Sequence, residues 1–139
     1  MKKINCILLV DDDHATNYLN KSLISRLGIA NYVIEVSDGQ KALDYILQQG
    51  SFSNNGKSYP SPDLILLDIN MAVLDGFEFL EKFHQLESKF RKAAIILLST
   101  SDRKKDFQKA RSFPAVIDYL VKPVRKATWV KIINNINRI

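Results

Sequence analysis

The chain has 139 residues, 46% of them hydrophobic, enough for one domain with its own core and too few for two of comfortable size. Its formal charge of +5 is uneven: residues 1–100 carry ten basic and twelve acidic side chains, residues 101–139 ten basic and three acidic, so the last third is +7. A single cysteine, Cys6, excludes an internal disulfide, and Met1-Lys2-Lys3 before a short apolar run fits neither a signal peptide nor a membrane span, so a cytoplasmic protein is expected.

Along the chain, apolar runs of strand length alternate with stretches of helical period, which predicts five βα units and a mainly parallel sheet. The first strand, near residues 5–10, carries Ile7-Leu8-Leu9-Val10 into Asp11-Asp12-Asp13. Cys6 at its start reads as a buried small hydrophobe. Asp12 or Asp13 suits the cap of a helix beginning near His14, with Asp13 doing only that and His14 given no role. That helix places Leu19, Leu23 and Leu27 on one stripe, expected to cover the sheet.

A second strand near 32–36 and its helix lead into Gly50 to Pro62, a turn-rich surface loop read as a tolerated insertion, with anchoring by Phe52 and Tyr59 to the body or to a partner as the alternative. The third strand, near 63–67, takes Leu64-Ile65-Leu66-Leu67 into Asp68. Asp75-Gly76 then reads as a turn and helix start, with Gly76 where unusual backbone angles are needed. The fourth strand, near 94–98, ends in Ser99, and the fifth, near 116–121, in Lys122-Pro123. The last helix spaces Trp129, Ile132, Ile133 and Ile136 as a core-facing stripe, with Trp129 in the core rather than stacking on a ligand. It reaches Ile139, so one domain over 1–139 without an output domain is expected.

In open parallel sheets the ligand site lies outside the carboxyl ends of the strands, so these four strand ends read as one site. Asp11, Asp12 and Asp68 can hold a small hard cation such as magnesium, with waters and phosphate oxygens completing its octahedron. A carboxylate at that position can attack a phosphoryl donor if the gathering charge is neutralised, which metal and Lys122 can do together. Ser99 can donate its hydroxyl to a phosphoryl oxygen. A cis bond before Pro123 would turn the Lys122 ammonium toward the site.

Leu8-Leu9-Val10-Asp11-Asp12, Leu66-Leu67-Asp68-Ile69-Asn70-Met71, Asp75-Gly76, Leu98-Ser99 and Tyr119-Leu120-Val121-Lys122-Pro123 occur in that order. Over nearly its whole length the chain thereby resembles a receiver domain of two-component response regulators, of the single-domain chemotaxis-receiver kind. The resemblance implies an α/β, flavodoxin-like (βα)5 three-layer sandwich whose five-stranded parallel sheet has the order 2-1-3-4-5. It implies Asp68 as phosphoacceptor, and Asp11, Asp12, Asp68 and the Asn70 backbone carbonyl as ligands of Mg2+, with Mn2+ as a substitute. Ser99 and Tyr119 become a switch pair beside Lys122, and the Lys122–Pro123 bond is implied to be cis.

The implied function is a phosphorylation-activated signalling switch, not an enzyme beyond self-phosphorylation from small phosphodonors and self-dephosphorylation. Its donor would be a histidine kinase or histidine phosphotransfer protein, and its output a contact in trans on the face of the fourth helix, fifth strand and fifth helix. Arg103, Lys104, Lys105, Lys109, Arg111, Arg125, Lys126 and Lys131 make that face basic, so an acidic downstream protein is expected. Ala72 stands where a proline is usual and Thr100 where alanine is frequent. Asn70, Thr100 and Ser101 are the positions expected to modulate access to Asp68 and phosphate lifetime.

Two other classes compete. A phosphohydrolase of the haloacid dehalogenase kind would use Asp11 as nucleophile and Asp13 as its second acid, but Ala15 stands where Thr or Val is common and the chain is short for it. A nucleic-acid module could use the basic last third. No helix-turn-helix or stacking motif supports one, so neither nucleic acid nor membrane is an expected partner.

Overall fold

A computed structural model of the chain describes residues 3–53, 59–100 and 104–137. Five strands, β1 (Ile4–Val10), β2 (Ala30–Val36), β3 (Leu64–Asp68), β4 (Ala94–Ser99) and β5 (Val116–Val121), alternate with five helices: α1 (His14–Leu27), α2 (Gly39–Leu47), α3 (Gly76–Phe83), α4 (Lys104–Arg111) and α5 (Lys126–Ile136). All four strand pairings are parallel and the order is β2-β1-β3-β4-β5, the expected flavodoxin-like topology.

The three inner strands read as unbroken apolar runs because helices cover both faces of the sheet. Leu8, Val10, Ile65, Leu67, Ile95 and Leu97 pack toward Phe79, Leu80 and Phe83 of α3 and Ala42 and Ile46 of α2. Their alternate neighbours Ile7, Leu9, Leu64, Leu66, Ile96 and Leu98 pack toward Ile24 of α1 and Trp129, Ile132 and Ile133 of α5. Trp129 is fully buried, as its stripe predicts.

At the β5 edge the register slips between Ile95 and Ile96, so Ile117 is left without a partner in the β4–β5 ladder. Such a bulge twists an edge away from further strand pairing.

Helix α1 departs from its apolar pattern. Its buried residues are Asn17, Asn20 and Ile24, while Leu19 is 58% exposed and Leu23 and Leu27 only flank the core. Asn17 is accommodated there by a buried hydrogen bond from its amide to the Asp11 carbonyl, an effect to which hydropathy is blind. Gly28, at φ 60°, ends α1, and Ile29 turns back to accept the Ile4 N–H at 2.9 Å, so β2 begins at Ala30, earlier than expected.

The described part of the 50–62 loop is anchored to the body through its two aromatics, and is more than a tolerated insertion. A short 3-10 helix, Gly50–Phe52, presents Phe52 edge-on to Tyr45 at 5.1 Å, and Tyr59 completes the cluster at 5.8 Å from Tyr45 and 5.4 Å from Phe52. The Tyr45 hydroxyl donates to the Pro60 carbonyl at 2.6 Å. Burial raises both the Tyr45 phenol and the Cys6 thiol beside it.

The reason for Gly76 also differs from expectation. Its φ is not positive; a Cβ there would sit 2.6 Å from Ile69 Cα and 2.8 Å from the Asp68 carbonyl. Gly76 therefore lets α3 start against the backbone that carries Asp68, and its N–H donates to the Ile69 carbonyl at 3.2 Å.

Candidate phosphoacceptor site

The candidate site is built on the carboxyl rim of the sheet. β1 delivers Asp11, β3 ends in Asp68, β4 ends in Ser99, and Lys122 follows β5. Asp11, Asp68 and Ser99 are all buried. The Lys122–Pro123 bond is cis, and the Lys122 N–H donates to the Ser99 carbonyl at 2.8 Å, fixing the lysine's root to the end of β4.

Lys122 Nζ lies 2.7 Å from Asp11 Oδ2 and 3.4 Å from Asp68 Oδ2. The first contact is a close, buried ion pair. Burial alone would lower the lysine's pKa, but the Asp11 contact and the Asp68 charge outweigh it and hold the ammonium above its ordinary value. Asp68 is the undercompensated acid. Burial and then the Asp11 charge push its carboxyl up to about 6, against the opposing pull of the Asn70 N–H at 3.2 Å and of Lys122. A carboxylate of that pKa is ionised at neutral pH yet more basic than an ordinary aspartate, which suits a nucleophile.

Asp12, exposed, completes an acidic group with Asp11 and Asp68, one carboxylate oxygen from each lying within 4.8 Å of the others. Three hard oxygen donors, one on the solvent side, match what a magnesium-type ion takes from protein.

Asp13 is differently employed. It is the N-cap of α1, accepting the Ala15 N–H at 3.1 Å and the Thr16 hydroxyl at 2.8 Å, and these bonds, the hydroxyl's first, hold its carboxyl below the usual range. A phosphohydrolase using Asp13 as its acid would have to break that cap.

The remaining expected positions are less concentrated. Asn70 and Thr100 are exposed beside Asp68 and Ser99, whereas Ser101 and Arg103 lie outside the described residues. Tyr119 pairs with Leu97, two residues before the Ser99–Val121 pair, so it sits deeper in the sheet than the acids. Its side chain is nine-tenths buried, with its ring 5.4 Å from that of Phe107. The loop around Ala72 is held without a proline: Met71 and Leu74 are buried on either side of it, and the Leu74 carbonyl accepts the Gly39 N–H at 3.2 Å.

Sequence reasoning missed Asn17, Gly39 and Phe107. Only Asn17 left a signal, a polar residue on the face of α1 that turns toward the acids. Beside Lys122 a groove of about 300 Å3 opens between α1 and the residues after β5, walled by Leu19, Leu23, Pro123 and Val124.

A family model of the response regulator receiver domain matches residues 7–134. A probable methanogenesis regulatory protein, FilR2, of Methanothrix harundinacea is 34% identical over 119 residues, which are 85% of this chain and 72% of that one. The crystal structure of a two-component response regulator from Cytophaga hutchinsonii superposes with a TM-score of 0.83 at 27% identity, covering 99% of this chain and 100% of that one. The Mn2+-bound form of the response regulator Rcp1 aligns with a TM-score of 0.75 at 29% identity over 97% and 93% of the two chains. With the sheet order, the acidic rim and a match spanning most of the sequence in agreement, the chain belongs to the response regulator receiver domains of two-component systems.

Proposed function

We propose that Asp68 accepts a phosphoryl group from a histidine kinase or histidine phosphotransfer protein and that the modified protein signals through protein contacts in trans. Receiver domains are in general phosphoacceptor switches, and members of the family partner with histidine kinases. The observation that carries the assignment to Asp68 is the pairing at the rim: Lys122 reaches both buried acids but sits closer to Asp11. Asp68 is thus left the less closely paired of the two, with its carboxyl raised above the ordinary aspartate value.

In the proposed step an Asp68 carboxylate oxygen attacks phosphorus, a P–O bond forms, and the P–N bond to the donor imidazole breaks with its electron pair returning to nitrogen. Asp11, Asp12 and Asp68 would hold Mg2+, which when bound supplies charge neutralisation for the phosphoryl oxygens. Lys122 is charged and positioned to pair with a phosphoryl oxygen, and the Ser99 hydroxyl is a donor at the neighbouring strand end. The groove between α1 and Pro123 gives a donor protein an apolar seat beside Lys122. Exposed Lys105, Arg111, Arg125, Lys126 and Lys131 support an acidic downstream partner, and of these Arg125 and Lys126 also line that groove.

The test is incubation with Mg2+ and a small phosphodonor such as acetyl phosphate, followed by intact-mass measurement. One base-labile phosphoryl group is expected on the native chain and none on Asp68→Asn. A folded Asp68→Asn protein that still gains a base-labile phosphate would overturn the assignment.

A further inference from the structure

We propose that Asn17 is a positioning residue for the acidic rim: its side-chain amide, tied to the main-chain carbonyl of Asp11, sets the geometry with which Asp11 and Asp12 hold a divalent cation. The inference rests on the metal site proposed above and assigns part of its affinity to a residue that is not itself a ligand.

Asn17 Nδ2 donates to the Asp11 carbonyl at 3.0 Å, and both residues are buried. Three further bonds close the same short segment. The Asp13 N–H donates to Asp11 Oδ1 at 2.9 Å, the Asn17 N–H to the Asp13 carbonyl at 3.2 Å, and the Ala15 N–H to Asp13 Oδ1 at 3.1 Å. Asp11 is thereby gripped at its carbonyl by Asn17, at Oδ1 by the Asp13 amide and at Oδ2 by Lys122. Asp12 has no such restraint of its own among the described residues; it is exposed, and its direction is set by the loop whose two ends Asn17 ties together.

Burying an asparagine on a helix face is unfavourable twice over, in helix propensity and in desolvation of the amide, unless the amide finds a partner. The buried positions of α1 include two asparagines, and only Asn17 reaches the acidic loop. Asn20, equally buried and on the same helix, has no hydrogen bond to that loop among the described residues, which makes it the natural control. Groups that orient metal ligands from behind typically change metal affinity by about 10- to 100-fold when removed. Because Asn17 holds a main-chain carbonyl and not a ligand atom, the low end is expected.

The test is a Mg2+ titration, followed by NMR, of the full chain as native protein, Asn17→Ala, Asn17→Leu and Asn20→Ala. Urea unfolding of each ranks their stabilities. Both Asn17 variants should bind Mg2+ about tenfold more weakly. Asn20→Ala should keep native affinity whatever stability it loses. Phosphorylation by acetyl phosphate should be slower in Asn17→Leu at limiting Mg2+ and recover when Mg2+ is saturating, a split that general loosening of the fold would not produce. Native Mg2+ affinity in folded Asn17→Leu overturns the inference, as does an equal loss in Asn20→Ala. A native chain that binds no Mg2+ overturns the metal reading and this inference together, so the two failures are distinguishable.

Discussion

The ring of Phe107 on α4 lies 5.4 Å from that of Tyr119 on β5, inclined by 54°, and the Arg111 guanidinium sits 4.6 Å from the Phe107 ring. This stack joins a residue expected to respond to phosphorylation to the helix on which part of the basic face is built. Aromatic pairs contribute about 0.5–1.5 kcal/mol beyond their buried area. That is enough to bias a side-chain equilibrium severalfold. Phe107→Ala should therefore let the Tyr119 ring move more freely, and a phosphoryl mimic with Mg2+ should change the ring signals more in the variant than in native protein. NMR of ring-labelled tyrosine checks this, and identical Tyr119 spectra in the two proteins would mean that Phe107 does not restrain it.

Asp12 and Asp13 are adjacent and alike in sequence, but only Asp12 joins the acidic group, while both Asp13 oxygens are bonded within α1's first turn. Asp12→Ala should weaken Mg2+ binding and leave unfolding nearly unchanged. Asp13→Ala should do the reverse, because an N-cap is lost. The lowered Asp13 pKa fixes the sign with pH: the cap's contribution is present above the ordinary aspartate range and disappears on acidification. Equal losses of Mg2+ affinity in a paired titration would count against this division of labour.

The raised Asp68 pKa has the opposite sign. Between the ordinary value of 3.8 and about 6 the folded protein holds a proton that the unfolded chain has released, so this group's contribution to stability falls as pH rises through that window. Asp68→Asn removes the burden, and in metal-free buffer its stability advantage should grow from pH 4 to pH 6 and then level off, reaching on the order of 2–3 kcal/mol. Groups away from the rim cancel in the difference, whereas Asp11 and Lys122 titrate together with Asp68. Added Mg2+ should shrink the advantage by stabilising the native chain more than the variant, which keeps only Asp11 and Asp12 of the three acids. Urea unfolding across the pH range decides it, and a difference independent of pH would show that the carboxyl is not raised.

The strands were legible because buried parallel strands announce themselves as unbroken apolar runs, and the acids, hydroxyl and lysine follow those runs directly. What stayed hidden depends on contacts between segments. The leucine stripe of α1 held at Leu23 and Leu27, which pack against the core, and failed at exposed Leu19, because hydropathy does not register that Asn17 and Asn20 take buried positions on that helix. Gly76 was correctly singled out but for the wrong cause, since its need is room against Ile69 and not a left-handed φ. The contact of Phe107 with Tyr119 forms where α4 folds back over β5, and no local pattern marks it.

The basic face is less uniform than its composition suggests, and this refines the choice of charges to reverse. Lys109 Nζ lies 4.4 Å from the Phe77 ring, a cation–π contact that ties α4 to α3, and Arg111 is engaged with Phe107. Reversing either would disturb packing as well as charge. Lys105, Lys126 and Lys131 are exposed and have no ion pair or ring contact among the described residues. Changed together to glutamate, they should leave phosphorylation by acetyl phosphate at the native rate. Association with an acidic output partner should slow, because opposite-sign patches act mainly on the on-rate and on register. In native protein that on-rate should fall as salt rises, while an apolar contact through Ile117 and Val121, exposed on β5, keeps dissociation nearly salt-independent. Capture from lysate and kinase-driven phosphorylation are measured side by side. Lost capture with normal phosphorylation places output on this face; lost kinase-driven phosphorylation with capture intact assigns the basic surface to the phosphodonor.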